Sequence, residues 1–183
     1  ARGCLSAFFT FLEQSGRWAS NPCKQVRPVR EAEPVKRRRA LSPDELASLL
    51  AAVPPTRALV YLAAAATGLR RGELRSLARG AVDLEGATVT VRASCSKNRQ
   101  EATLPLTPAL LEAWRAWLEA NPAADRALPP PPRLRTFYKD LGRAGIERET
   151  EAGEVDFHAL RTSFVTSLAR AGVSLQLAQR MAR

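Results

Sequence analysis

Apolar residues recur along this chain with two different periods. In "CLSAFFTFLEQSGRW" (4–18) they fall at helical spacing, and "NP" at 21–22 closes the segment. "SPDE" (42–45) announces a second helix: Ser42 stands as N-cap, Pro43 in the first turn, and Glu45 completes a capping box. A third helix is predicted over roughly 57–67, where "AAAA" (63–66) lets a neighbour approach closely, and Gly68 separates it from a short helix over 71–78. The period then changes to two. "VDLEGATVTVRA" (82–93) alternates around a Glu-Gly turn, "EATLPL" (101–106) is a second extended run, and "SCSKNRQ" between them forms a hairpin tip. Helical spacing returns in "TPALLEAWRAWLEA" (107–120), entered through Thr107 and Pro108, and again over 133–143, 156–170 and 174–183, with "LPPPPR" as a stiff connector. The pattern predicts an α+β fold, mainly α, with one small antiparallel sheet.

Charge narrows the function. Lys+Arg 28 against Asp+Glu 18 leaves a net charge of +10 and a pI near 10.7, a surplus that favours a polyanionic partner, nucleic acid first. Aromatics make up only 6% of the chain, which argues against stacking of unpaired bases and for duplex DNA gripped by its phosphates. Cys4, Cys23 and Cys95 show no metal-binding spacing, so neither a zinc site nor a disulfide framework is expected, and the compartment reads as cytoplasmic. No apolar run reaches membrane-spanning length.

Three places carry polar groups that such a fold does not itself require. In "TGLRRGE" (67–73), Arg70 and Glu73 stand three apart, as in an ordinary surface ion pair. In "DFHALRTSF" (156–164), the only histidine of the chain, His158, shares a helix face with Arg161, while Phe157, Leu160 and Phe164 take another. A half-buried histidine satisfied by a neighbouring carbonyl fits that spacing; so do two donors aimed at one oxyanion. Lys97 sits at the hairpin tip of a chain that otherwise prefers arginine. It is either a solvated turn lysine or a proton donor, a task that arginine cannot perform. Two arginines, an imidazole and an ammonium together suit metal-free phosphodiester exchange, in which charge builds on non-bridging oxygens and the leaving oxygen needs a proton. No carboxylate cluster has the look of a Mg²⁺ site, and no cofactor is expected.

"TGLRRGEL", then "SKNRQEATLPL", then "HALRTSF" resemble, in that order, the catalytic domain of the tyrosine recombinases, the phage-integrase family, over about residues 40–183. The resemblance implies that Arg70 and Arg161 are catalytic arginines, that His158 belongs to a His-x-x-Arg motif, and that Lys97 protonates the leaving 5′-oxygen. It implies a supporting role for Glu73 in orienting the site. It further implies DNA contacts from Lys36, Arg37, Arg38, Arg39, Arg71 and Arg99. Residues 1–33 would be the tail of a helical core-binding domain, 34–41 a basic linker and 42–183 the catalytic domain. Implied partners are double-stranded DNA and sister protomers in a DNA-bound tetramer, with strands rejoined through a 3′-phosphotyrosyl link.

The family's nucleophilic tyrosine lies after the His-x-x-Arg motif. This chain has tyrosines only at 61 and 138, both before it, and the helical pattern of "GVSLQLAQRMAR" continues to the last residue. The expectation is therefore of a fragment that cannot cut DNA alone. A DNA-binding regulator with a C-terminal helix-turn-helix is the alternative, although it leaves Lys97 and His158 unused. A structural RNA-binding protein would rest on the basic pI alone.

Overall fold

The computed structural model describes residues 2–26, 37–95 and 100–182, and the chain divides into two compact units, Ala1–Val35 and Lys36–Arg183. In the first unit, helix α1 (Arg2–Gln14) ends four residues before the predicted limit of 18. Gly16 adopts a left-handed φ of 69°, and the Arg17 N–H turns back to the Leu12 carbonyl (2.9 Å), which closes the helix. The "NP" pair does not cap the helix but buttresses it from beyond. The Asn21 side chain is buried and donates to the Ser6 carbonyl and to Thr10 Oγ1, both at 2.9 Å.

The second unit is built around helix α3 (Pro55–Thr67), whose Leu59, Val60, Tyr61, Ala63, Ala64 and Ala65 are buried. The small side chains at 63–65 let its neighbours come close, as the alanine run suggested. Helix α2 (Pro43–Ala51) starts on the predicted capping box. Ser42 Oγ accepts from the Glu45 N–H (3.1 Å), and Glu45 Oε2 accepts from the Ser42 N–H (2.8 Å). The short helix α4 (Arg71–Ser76) follows α3.

Strands β1 (Val82–Asp83), β2 (Thr88–Val91) and β3 (Ala102–Pro105) pair antiparallel in the order β1-β2-β3, with Val89 opposite Leu104 and Thr90 opposite Thr103. The two-residue period does what the pattern required: Val89, Val91 and Leu104 face the core, while Thr90 and Thr103 face outward and approach to 3.0 Å through their hydroxyls. The first extended run, predicted to reach 93, ends sooner than the alternation suggested, at Val91, because Ala93–Cys95 wind into a 3₁₀ turn. The expected hairpin tip beyond it, 96–99, lies outside the described residues.

Helix α5 (Pro108–Ala120) is capped by Thr107 and buries Leu110, Trp114 and Leu118, with Trp114 Nε1 donating to the Ala127 carbonyl at 2.6 Å. The proline-rich connector leads to α6 (Leu134–Arg143), whose Phe137 and Leu141 enter the core. A second hairpin, β4 (Glu149–Thr150) with β5 (Gly153–Glu154), was not visible in the sequence pattern, because two-residue strands are too short to alternate. It delivers the chain to α7 (His158–Arg170), which packs on α3, and a turn at Gly172 leads to α8 (Leu175–Ala182). The result is an α+β fold, mainly helical, with small antiparallel sheets.

Candidate functional site

The junction after α3 shapes one wall of the site. Gly68 takes a left-handed φ of 65°, and its N–H closes the helix on the Ala64 carbonyl at 3.0 Å. A Cβ here would lie 2.4 Å from the Phe164 ring, so a close approach to α7 and a positive φ both require glycine. Leu69 is buried, and the extended backbone of Arg70 presents its side chain beside α4.

Glu73 is only 2% exposed, so its pairing with Arg70 is not the surface contact that sequence spacing alone allows. Its Oε1 lies 2.9 Å from Arg70 Nη1, and its Oε2 accepts the Arg70 backbone N–H at 2.8 Å. One carboxylate therefore holds both the backbone and the guanidinium of Arg70. Removing one partner of such a pair leaves an uncompensated buried charge.

The opposite wall is the start of α7. Arg161 donates from Nη1 to the Gly68 carbonyl, which ties this helix to the Gly68–Arg70 loop. His158, one turn earlier on the same face, is exposed, while Phe157, Ala159, Leu160 and Phe164 are buried. The His158 backbone N–H donates to Asp156 Oδ1 at 2.8 Å.

Arg70, Arg71, His158 and Arg161 line one open depression of about 250 Å³, together with Asp156 and apolar Leu69, Leu134 and Phe157. Partial desolvation, joined by the guanidiniums of Arg161, Arg38 and Arg70, holds the His158 imidazole below its ordinary range, with Asp156 opposing. With its ionisation held below the ordinary histidine range, the ring favours the neutral form near neutral pH. A larger groove of about 700 Å³ between α2, α3 and α5 is lined by Leu50, Leu59, Leu62 and Trp117, with no ionisable side chain for chemistry.

The other predicted residues divide. Lys97, Lys36 and Arg99 lie outside the described residues. Arg71 donates from Nε to the Pro132 carbonyl at 3.0 Å, which aligns it along the rim. Arg37 is exposed. Arg38 lies 2.7 Å from Asp156, and Arg39 makes a two-pronged contact with Glu45, both prongs at 2.8 Å. That contact holds the Glu45 carboxyl below the usual carboxylate range. Asp156 entered the sequence reading only as the start of a motif; its partner Arg38 is too distant in the chain for spacing to have revealed the pair.

Neither tyrosine reaches the depression. Tyr61 is fully buried, and its hydroxyl donates to Asp140 Oδ2 at 2.7 Å. Burial, and then Asp140, push its ionisation well above the ordinary phenol range, so it remains a neutral phenol. Tyr138 lies under the Arg148 guanidinium, 4.1 Å from the ring centroid.

A mainly helical domain with a small sheet thus turns the guanidiniums of Arg70 and Arg161 and the His158 imidazole into one open depression, a donor set chemically suited to an oxyanion. Comparison with known proteins narrows the reading. The profile of the phage integrase family matches residues 39–182, and the chain belongs to that family, the tyrosine recombinases. The tyrosine recombinase XerA of Thermococcus kodakarensis is 32% identical over 155 residues, covering 78% of this chain and 53% of the relative. The integrase from mycobacterium phage Brujita superposes with a TM-score of 0.62 at 28% identity, over 99% of this chain and 61% of that one. A lambda integrase dimer bound to a COC′ core site gives a TM-score of 0.72 at 21% identity, over 98% of this chain and 53% of that one, and shares the fold. The chain thus spans about half the length of the curated relatives it matches.

Proposed function

We propose that this chain supplies the phosphate-gripping part of a site-specific DNA recombinase, which breaks and rejoins strands through a 3′-phosphotyrosyl intermediate. The observation that carries the reading is the convergence of Arg70, His158 and Arg161 on one depression, from segments far apart in the chain. The guanidiniums of Arg70 and Arg161 bind the non-bridging oxygens of the scissile phosphate, where negative charge builds in the transition state. His158 donates one further N–H to the same phosphate. Glu73 keeps the Arg70 fork in place, and Lys97 delivers a proton to the leaving 5′-oxygen. Lys36, Arg37, Arg71 and Arg99 engage flanking phosphates, joined by Arg38 and Arg39 to the extent that their carboxylate partners release them.

In this reading residues 1–33 continue a DNA-clamping domain, 34–41 cross the duplex as a linker, and 42–183 form the catalytic domain. The partners are duplex DNA and sister protomers. Related structures support them, among them a lambda integrase tetramer bound to a Holliday junction. Among the described residues no helix is long and apolar enough to cross a membrane, in keeping with a cytoplasmic setting for such work. A regulator with a helix-turn-helix would leave Lys97 and His158 without a task.

The reading assigns the nucleophile to neither tyrosine here. On a nicked duplex that traps covalent intermediates, this chain forms no phosphotyrosine adduct. Mass-spectrometric recovery of an adduct at Tyr61 or Tyr138 would overturn that assignment.

A further inference from the structure

The segment that enters from the linker is stitched to the hairpin preceding His158. The Glu154 N–H donates to the Arg37 carbonyl at 2.7 Å, and the Arg39 N–H donates to the Glu154 carbonyl at 3.2 Å. Gly153, at a φ of 132°, makes room for this approach, since a Cβ there would lie 2.6 Å from the Arg37 carbonyl oxygen. Arg38 is thereby held with its Nε 2.7 Å from Asp156 Oδ2, while Oδ1 of the same carboxylate takes the His158 N–H at 2.8 Å. Phe157, the residue in the N-cap position of α7, offers no side-chain acceptor, so Asp156 satisfies an N–H of the first turn that would otherwise be orphaned.

We infer that Arg38 is a positioning residue for His158: by fixing the Asp156 carboxylate that receives the His158 N–H, it lets the linker end set where α7 begins and where the imidazole points. An ion pair with Arg38 53% exposed adds little to stability, so its consequence is geometric. The functional weight of the inference rests on His158 being a phosphate contact, but the geometry can be tested without that assumption. Any withdrawal of Arg38 toward a DNA phosphate would release Asp156 and so report linker engagement to the site.

Amide hydrogen exchange measured by NMR on the full chain decides the matter. In R38Q the His158 amide exchanges several-fold faster while the amides of β2 keep their native rates, and R38K recovers part of the protection. D156A gives the same loss, and adding R38Q to it changes nothing further, as expected of two groups acting through one contact. A native exchange rate for the His158 amide in R38Q, or an equal acceleration of every amide, overturns the inference. Inorganic phosphate provides the second readout, because the chain's single histidine gives an unambiguous ring signal. Phosphate moves that signal in the native chain, and R38Q needs a several-fold higher concentration for the same response. Equal responses overturn the positioning role. No response in the native chain instead overturns the phosphate-site reading, and the amide comparison still decides the Arg38 contact.

Discussion

His158 shows how a single side chain is tuned by its surroundings. Partial desolvation and the guanidiniums of Arg161, Arg38 and Arg70 lower its ionisation, so the folded chain prefers the neutral ring. The sign for stability follows: the contribution is fully present above the ordinary histidine range and is lost as pH falls through the lowered value. Binding of a phosphate works in the opposite direction, because an anion favours the charged ring. Affinity for duplex DNA therefore rises as pH falls between about 8 and 5, and His158→Asn flattens the profile; equilibrium binding across that range checks both. The potential of this residue was legible in the spacing of His158 and Arg161. The burial of Glu73 was not, since three-residue spacing is the same for a buried pair and a solvated one.

Among the elements, the sequence was most informative where structure is decided locally. The Ser42–Glu45 capping box, the Thr107 cap and the alternation through β2 and β3 depend on residues a few positions apart, and each formed as the pattern indicated. The limits of α1 and the β4–β5 hairpin escaped because a left-handed glycine and two-residue strands leave no periodic trace. Gly68 belongs to both categories: its role as a stop was readable, its contact with Phe164 was not. Gly68→Ala must strain a φ of 65° and displace the Phe164 ring of α7. The expected loss is about 1–3 kcal/mol in urea unfolding, together with weaker DNA binding. Unchanged stability and affinity would show that the α3–α7 junction does not shape the site.

At the scale of the whole molecule, the net charge of +10 favours a polyanion whatever its sequence, and in the proposed reading the depression positions one phosphate within that attraction. Counterion release then dictates the salt response: log K for duplex DNA falls by about 0.9 per phosphate neutralised for each log unit of salt. Binding titrations at several salt concentrations should show a steep slope. A flat response would be inconsistent with a surface that grips phosphates. The long-range assembly of the site, which joins residues 68–73 to 156–161, was visible in the sequence only through resemblance to a family, because no local pattern encodes that contact.

The most direct test of the account follows the ring signal of the one histidine while duplex DNA is added to the native chain and to Arg161→Ala. The account predicts a progressive shift of the His158 signal in the native chain, and in the variant binding weaker by about 1.5–3 kcal/mol with the shift reduced. Duplex DNA that binds both proteins equally and leaves the His158 signal in place would contradict it.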